Sequence, residues 1–158
     1  MKRSLIAVFV LAAGMILGGC DTAEKALWWR KDVVEVVNDQ KNLGILHNLI
    51  EEADLAEDLK EEGPYTLFAP TNMAFSKLSA GTLEDLEKPE NRQQLREVLK
   101  YHVVSGELKK EALQTQTLTT LQGGTIDVEV TGGMVKVNGA NVTETDLEAT
   151  NGVVHVID

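Results

Sequence analysis

The chain has little cysteine, few aromatic side chains and a shortage of basic residues. Its 158 residues include one Cys and seven aromatics (two Trp, two Tyr and three Phe), and 15 Lys and Arg stand against 25 Asp and Glu, for a net charge of −10. A single cysteine allows no disulfide framework within the chain and no thiolate metal site. The negative charge argues against nucleic acid and against electrostatic docking on anionic lipid. Stability must therefore come from a hydrophobic core.

Catalytic motifs are also lacking. The sequence has no Gly-x-Ser-x-Gly elbow, no phosphate-binding glycine loop and no His-Glu-x-x-His pair. Of the histidines His47, His102 and His155, we expect His47 to have no partner at metal-ligand spacing, and all three are best interpreted as structural. The acidic run Glu51–Glu62 predicts a solvated helix face, with weak divalent-ion binding as the alternative. We therefore expect no enzyme activity, no cofactor and no resident metal.

The N-terminus has the pattern of an export signal. Lys2 and Arg3 precede an apolar run from Leu5 to Leu17, too short for a comfortable membrane-spanning helix. Leu17-Gly18-Gly19 then precedes Cys20, an arrangement that resembles a bacterial lipobox. This predicts a signal peptide over residues 1–19, a lipid on Cys20 and a tether over residues 20–31. The alternative is an ordinary signal peptide in which the cysteine stands by chance.

Two features near Cys20 bear on where the protein resides. The predicted lipid would anchor the chain to the bacterial cell envelope, facing the periplasm or the outside, because two or three acyl chains hold a protein almost irreversibly. Asp21 resembles a signal for retention in the inner membrane. Trp28 and Trp29 would either rest at the membrane interface, which favours indole rings, or cover the edge of the domain core.

Helical patterns dominate the first part of the body. Asp32 can cap a helix with a valine-rich side, and Gly63-Pro64 ends the helical pattern that follows it. Thr71, Thr82 and Pro89 each stand where a further helix would begin. The apolar positions that indicate these helices are Val33, Val34, Val36, Val37, Leu43, Leu46, Leu49, Ile50, Ala53, Leu55, Ala56, Leu59, Leu95, Val98 and Leu99.

Strand patterns dominate the last part. Tyr65–Ala69 and Tyr101–Val104 are predicted as short strands. From Thr117 onward apolar and polar residues alternate, and Gly132-Gly133 predicts the turn of a hairpin. Asn138-Gly139 and Asn151-Gly152 indicate further turns. Helices first and strands last predict an α+β class and one domain over residues 32–158.

Three segments in fixed order resemble the fasciclin-domain family. They are Gly63–Phe75, Tyr101–Val104 and Thr150–Asp158, and the resemblance runs from about Asp32 to Asp158. It implies a folded pair of β-sheets, wedge- or sandwich-like, flanked by short helices. Family members normally continue the last strand for several residues beyond the aspartate. We therefore expect the final strand to be truncated, or short enough to leave a sheet edge less covered.

The resemblance also points to candidate binding residues. In animal members of the family, adhesion to integrins is attributed to a Glu-Pro-Asp-Ile-Met segment before the last motif and to the Tyr-His region. This chain has Glu144-Thr145-Asp146-Leu147-Glu148 at the first place and Tyr101-His102 at the second. The candidates for partner binding are therefore Tyr101, His102, Glu144 and Asp146. Thr145 in place of proline and Glu148 in place of methionine put integrin-like recognition in doubt, and Asp146 could instead cap a turn.

The function implied is adhesion or interaction without chemical turnover. The domain would be held at the membrane through Cys20 and would bind a protein or glycan partner. The alternative is a structural role in maintaining the envelope, with no dedicated ligand. The sequence identifies neither the partner nor the oligomeric state.

Overall fold

The computed structural model describes residues 31–61, 63–79 and 81–158. The predicted signal peptide, Cys20, Asp21, Trp28 and Trp29 lie outside the described residues. None of the described helices is long and apolar enough to cross a membrane.

Within residues 31–61, 63–79 and 81–158, eight short helical segments come mainly before the long strands. The α-helices are α1 (Val33–Asp39), α2 (Gly44–Glu52), α3 (Ala56–Glu61), α4 (Asn72–Ser76), α5 (Thr82–Leu86) and α6 (Arg92–Tyr101), and the 3₁₀ turns are Pro89–Asn91 and Lys110–Ala112. Asp32 accepts hydrogen bonds from the backbone of Val34 and Glu35 and forms a capping box with Glu35. Thr71 caps α4 through the backbone N–H of Ala74. Both predicted caps are confirmed.

Seven strands form one folded sheet. They are β1 (Tyr65–Pro70), β2 (Val103–Ser105), β3 (Gln116–Thr119), β4 (Thr125–Thr131), β5 (Met134–Val137), β6 (Ala140–Ala149) and β7 (Gly152–Ile157), in the spatial order β2-β1-β7-β6-β5-β4-β3. β1 and β7 run parallel and the other pairs antiparallel. β6 joins the strands β2, β1 and β7 to the strands β5, β4 and β3. Its first residues pair with β5 and the later ones with β7.

Two hydrophobic cores lie on opposite faces of β1 and β7. Leu67, Val154 and Val156 face the helices and pack with α1, α2, α3 and α6. Phe68 and Ile157 face the other way and pack against inward residues of β4 and β5, such as Val128 and Val137. The sheet therefore folds over onto itself around the second core. The predicted α+β class, with a folded sheet flanked by short helices, is confirmed.

The region of α6 and β2 differs from the sequence prediction in two details. The segment Tyr101–Val104 is not one strand: α6 continues through Tyr101, His102 is its C-cap, and β2 begins at Val103. The hydrogen bond from the His102 N–H to the carbonyl of Leu99 extends the helix to this point. Val98 is exposed and does not share the buried side of Leu95 and Leu99.

The final strand occupies a central position in the sheet. β7 pairs with β1 from Gly152 to Ile157 and with β6 on its other side. All six of its residues are buried. The expectation that this strand leaves a sheet edge less covered was therefore wrong, because β7 lies inside the sheet and the edge strands are β2 and β3.

His47 also differs from expectation. Its Nε2 lies 3.8 Å from Oε1 of Glu51, one helical turn further along α2. The prediction of no partner at this spacing was wrong. Among the described residues, however, no group of three His, Cys, Asp or Glu side chains is placed to hold a metal ion.

Candidate functional site

A cavity opens where the C-terminus of α6 meets the second core. Its volume is about 190 Å³. Four buried apolar residues form its floor. Its mouth is formed by four other residues, which are less buried than the floor. The floor is Phe68, Ile126, Val137 and Ile157, and the mouth is Tyr101, His102, Asn138 and Ala140. We call this the Tyr101–His102 cavity; it contains two of the four predicted binding residues.

Tyr101 is fixed by hydrogen bonds on both sides of its hydroxyl. Oη donates to the carbonyl of Thr125 at 2.9 Å and accepts from Nδ2 of Asn138 at 3.0 Å. Oδ1 of Asn138 in turn accepts from the backbone of Asp127 at 2.8 Å. This network links α6 to β4 and to the turn between β5 and β6, so the mouth of the cavity is rigid.

His102 has a defined tautomer. Its Nδ1 lies 2.8 Å from the carbonyl oxygen of Val98, which can only accept, so Nδ1 carries the hydrogen. Burial lowers the pKa of His102, and the bond to Val98 opposes that shift only in part. The imidazole is therefore neutral at pH 7, and its Nε2 is a hydrogen-bond acceptor.

Glu144 and Asp146 are not among the residues that line the cavity and lie on the irregular stretch of β6. The pairing of β6 with β7 shifts register between Glu144 and Leu147, and Asp146 adopts a positive φ of 61°. This is a β-bulge, and bulges re-aim side chains. Oδ1 of Asp146 accepts from the backbone N–H of Lys110 at 2.7 Å. Asp146 thus holds the 3₁₀ turn Lys110–Ala112 against β6.

Acidic residues around the bulge differ in how far they are engaged. Glu148 accepts a hydrogen bond from Nζ of Lys109 at 2.6 Å. This hydrogen bond and the negative charge of Glu148 raise the pKa of Lys109. The side chain of Glu144 is exposed and forms no hydrogen bond or ion pair with the described residues. Of the predicted acidic pair, Glu144 is therefore free for a partner and Asp146 is half-buried and engaged.

His155 separates the bulge from the cavity. It is fully buried, and its ring stacks on Phe68 at a centroid distance of 5.6 Å. Nδ1 accepts from the N–H of Asp146, and Nε2 donates to the carbonyl of Leu108 at 2.6 Å. Burial lowers the pKa of His155, whereas the bond to Leu108 and the charge of Asp146 act in the opposite direction. His155 therefore holds the fold in a neutral form.

The structure thus divides the predicted residues into two groups. Tyr101 and His102 form a cavity, and Glu144 and Asp146 belong to a bulge on the far side of Phe68 and His155. Sequence reasoning missed Asn138, which it treated only as a turn residue. The sequence feature that could have indicated Asn138 as a site residue is its position directly after Val137, an inward-facing residue at the end of a hairpin strand.

The arrangement is suited to binding. The cavity has an apolar floor and no charged side chain among its lining residues. Recognition sites of this kind gain affinity from apolar burial and specificity from a small number of polar atoms. The same surface offers no paired carboxylates of the kind used in general acid–base chemistry.

Comparison with known proteins identifies the family. The sequence model of the fasciclin-domain family matches residues 41–158. The chain belongs to the fasciclin-domain family, as the three sequence segments predicted.

Relatives come from bacteria and animals. The chain is 44% identical over 126 residues to protein sll1483 of Synechocystis sp., covering 80% of this chain and 70% of that protein. It is 39% identical over 127 residues to the transforming growth factor-beta-induced protein ig-h3 of Sus scrofa, covering 80% of this chain but 18% of that protein.

A solved structure shares the fold. The domain pair of the insect cell adhesion molecule Fasciclin I matches with a TM-score of 0.72 at 20% identity, over 81% of this chain and 49% of that chain. The folded sheet with flanking helices is therefore the fasciclin fold.

Proposed function

We propose that the protein is an extracytoplasmic interaction module that binds a protein or glycan partner without chemical turnover. The observation that carries this proposal is the Tyr101–His102 cavity, an apolar depression with a rigid polar mouth on a fold shared with a cell adhesion molecule. Partner binding commonly depends on a few well-packed pockets of this kind surrounded by weaker contacts. Glu144, exposed on the β6 bulge, would supply a peripheral contact.

In this proposal a lipid on Cys20 holds the domain at the membrane. The predicted tether would enter the fold at Lys31, whose carbonyl accepts from the N–H of Thr150 just before β7 begins. The cavity lies at the opposite end of the same strand, beside Ile157. Since a six-residue strand is roughly 20 Å long, this separation favours display of the cavity away from the point of attachment.

The test measures partner binding by the purified protein. Partners captured from envelope proteins and from a glycan array would be identified, purified and titrated individually. Ala140→Val narrows the mouth of the cavity, and Glu144→Gln with Asp146→Asn removes charge while leaving an oxygen for the N–H of Lys110. We expect saturable binding that Ala140→Val weakens at least about tenfold, which corresponds to roughly 1.4 kcal/mol. The charge variant should weaken it less.

Glu84→Gln is the matched control, since Glu84 is exposed on α5 and belongs neither to the cavity lining nor to the β6 bulge. Binding unchanged by Ala140→Val and by the charge variant would remove this surface from the proposal. The absence of any saturable partner would contradict the interaction function and leave a structural envelope role as the alternative.

A further inference from the structure

Among the described residues, one polar side-chain atom of the residues that line the cavity has no partner, Nε2 of His102. Oη of Tyr101 and both side-chain atoms of Asn138 are engaged in the network that fixes the mouth. Nδ1 of His102 binds the carbonyl of Val98. Nε2 of His102 forms no hydrogen bond with the described residues, although His102 lines the cavity. His102 therefore brings an acceptor nitrogen without a partner among the described residues to a cavity with an apolar floor.

The dimensions and walls of the cavity favour one aromatic ring. Engineered apolar cavities of about 150 Å³ accept benzene, and this cavity measures about 190 Å³. Three aromatic side chains, those of Phe68, Tyr101 and His102, are among its lining residues. Aromatic rings gain additional stabilisation from edge-to-face or offset contacts with other rings. The space thus suits a six-membered ring with small substituents.

We propose that the Tyr101–His102 cavity binds a phenolic ring, whose hydroxyl donates a hydrogen bond to Nε2 of His102. The ring lies on Phe68, Ile126 and Ile157, and the hydroxyl satisfies Nε2 of His102, which has no partner among the described residues.

The lining also selects against charged ligands. It contains no Lys or Arg to pair with a carboxylate and no Asp or Glu to pair with an ammonium group. Transfer of an unpaired charge onto an apolar floor is strongly unfavourable. A neutral ring that carries a hydrogen-bond donor avoids this cost, whereas a ring without a donor leaves Nε2 of His102 unsatisfied.

A phenolic ring has two sources, a tyrosine side chain of a partner protein and a free phenol. The first deepens the proposed function and rests on it, because tyrosine is a common anchor residue at protein interfaces. The chemistry of recognition is the same for both, so the experiment compares the two sources directly.

The experiment titrates the purified protein with p-cresol and with toluene, which has the same ring and methyl group but no hydroxyl. Binding is followed by calorimetry, and Nε2 of His102 by its ¹⁵N NMR resonance. We expect saturable binding of p-cresol, roughly three- to tenfold tighter than that of toluene, as one neutral hydrogen bond provides. The Nε2 resonance should move with p-cresol and stay in place with toluene.

Two variants separate the ring pocket from the acceptor. His102→Phe keeps a ring at this position and should abolish the preference for p-cresol over toluene. Ala140→Val narrows the mouth and should weaken both ligands. His47→Phe is the matched control on α2 and should leave both affinities unchanged. Equal affinities of p-cresol and toluene for the native protein, or binding of p-cresol that survives Ala140→Val, would overturn the proposal.

A blocked pentapeptide, Gly-Gly-Tyr-Gly-Gly, identifies the source. Competition with p-cresol at equal or higher affinity supports a tyrosine side chain, and failure to compete supports a free phenol. The outcome is separate from that of the proposed function. A captured partner whose binding is insensitive to p-cresol would leave the interaction function standing and remove the phenolic anchor from it.

Discussion

At the scale of single residues, His155 shows how a polar side chain can sit in an apolar core. It is fully buried, yet both ring nitrogens are satisfied: one accepts from the backbone of Asp146 and the other donates to the carbonyl of Leu108. This pattern requires the neutral imidazole, because a second proton on Nδ1 would face the N–H of Asp146. The ring thereby ties β7 to the β6 bulge and to the segment before the Lys110–Ala112 turn.

The burial of His155 predicts a pH dependence of stability. Because its pKa is lowered in the folded protein, the unfolded chain binds the proton more tightly. The free energy of unfolding should therefore be fully retained above the ordinary histidine pKa of 6.5 and should fall as the pH drops below it. The slope reaches at most about 1.4 kcal/mol per pH unit for each such histidine. His102, whose pKa is also lowered, contributes in the same direction.

Urea unfolding at about pH 7.5 and about pH 5.5 checks this prediction. His155→Gln retains a donor and an acceptor but does not titrate, so its stability should fall less between the two pH values than that of the native protein. The nearby carboxylate of Asp146 is present in both proteins. An equal loss of stability in the native protein and in His155→Gln would show that His155 does not carry the effect.

At the scale of elements, the sequence predicted those features that local chemistry decides. Asp32 and Thr71 cap helices, and the β4–β5 hairpin turns at Gly132-Gly133 as expected. The Tyr101–Val104 strand was predicted wrongly because an aromatic residue and two valines favour a strand, whereas helix α6 continues to Tyr101. Tyr101 and His102, two of the residues that line the cavity, thus come from a helix end.

The pairing of β1 with β7 depends on Gly152. This residue lies opposite Tyr65 with a φ of 155°, and a Cβ built on it would lie 2.0 Å from the carbonyl oxygen of Tyr65. Gly152→Ala should therefore push the two central strands apart at their first residue. We expect a loss of roughly 3 kcal/mol or more in the free energy of unfolding, measured by urea denaturation.

Gly44→Ala is the matched control for this variant. A Cβ at Gly44, the first residue of α2, meets no atom within 4 Å. Alanine also favours a helix over glycine, so Gly44→Ala should be neutral or slightly stabilising. A loss for Gly152→Ala no larger than the change for Gly44→Ala would contradict the close approach of the two strands.

At the scale of the whole molecule, the sequence pattern did not predict which distant strands pair. β1 and β7 are separated by more than 80 residues, and nothing in the alternation of either strand indicates that they run parallel and adjacent. The cavity has the same origin, because its lining comes from β1, α6, β4, β5, β6 and β7. Four candidate residues could be predicted from a resemblance, but their division between a cavity and a bulge required the folded sheet.

Asn151 connects the two ends of the described fold and carries a prediction at this scale. Its Oδ1 accepts from the N–H of Val33 at the start of α1, and its Nδ2 donates to the carbonyl of Leu59 in α3. Its own carbonyl accepts from the N–H of Tyr65 at the start of β1. One side chain therefore holds two helices against the beginning of the central strands, at the end of the fold where the predicted tether would enter.

Asn151→Ala should remove both side-chain bonds and leave the N–H of Val33 without a partner in a half-buried place. We expect a loss of roughly 2 kcal/mol in the free energy of unfolding, and faster hydrogen exchange at Val33 than in the native protein. Asn48→Ala, at an exposed position of α2, is the control and should change stability by less than about 0.5 kcal/mol. If exchange at Val33 stayed unchanged in Asn151→Ala, α1 would be held by its valine contacts and by the bond between Lys31 and Thr150. The hydrogen bonds of Asn151 would then add nothing to the attachment of the N-terminal helix, and the cores on the two faces of the sheet would suffice to close the fold.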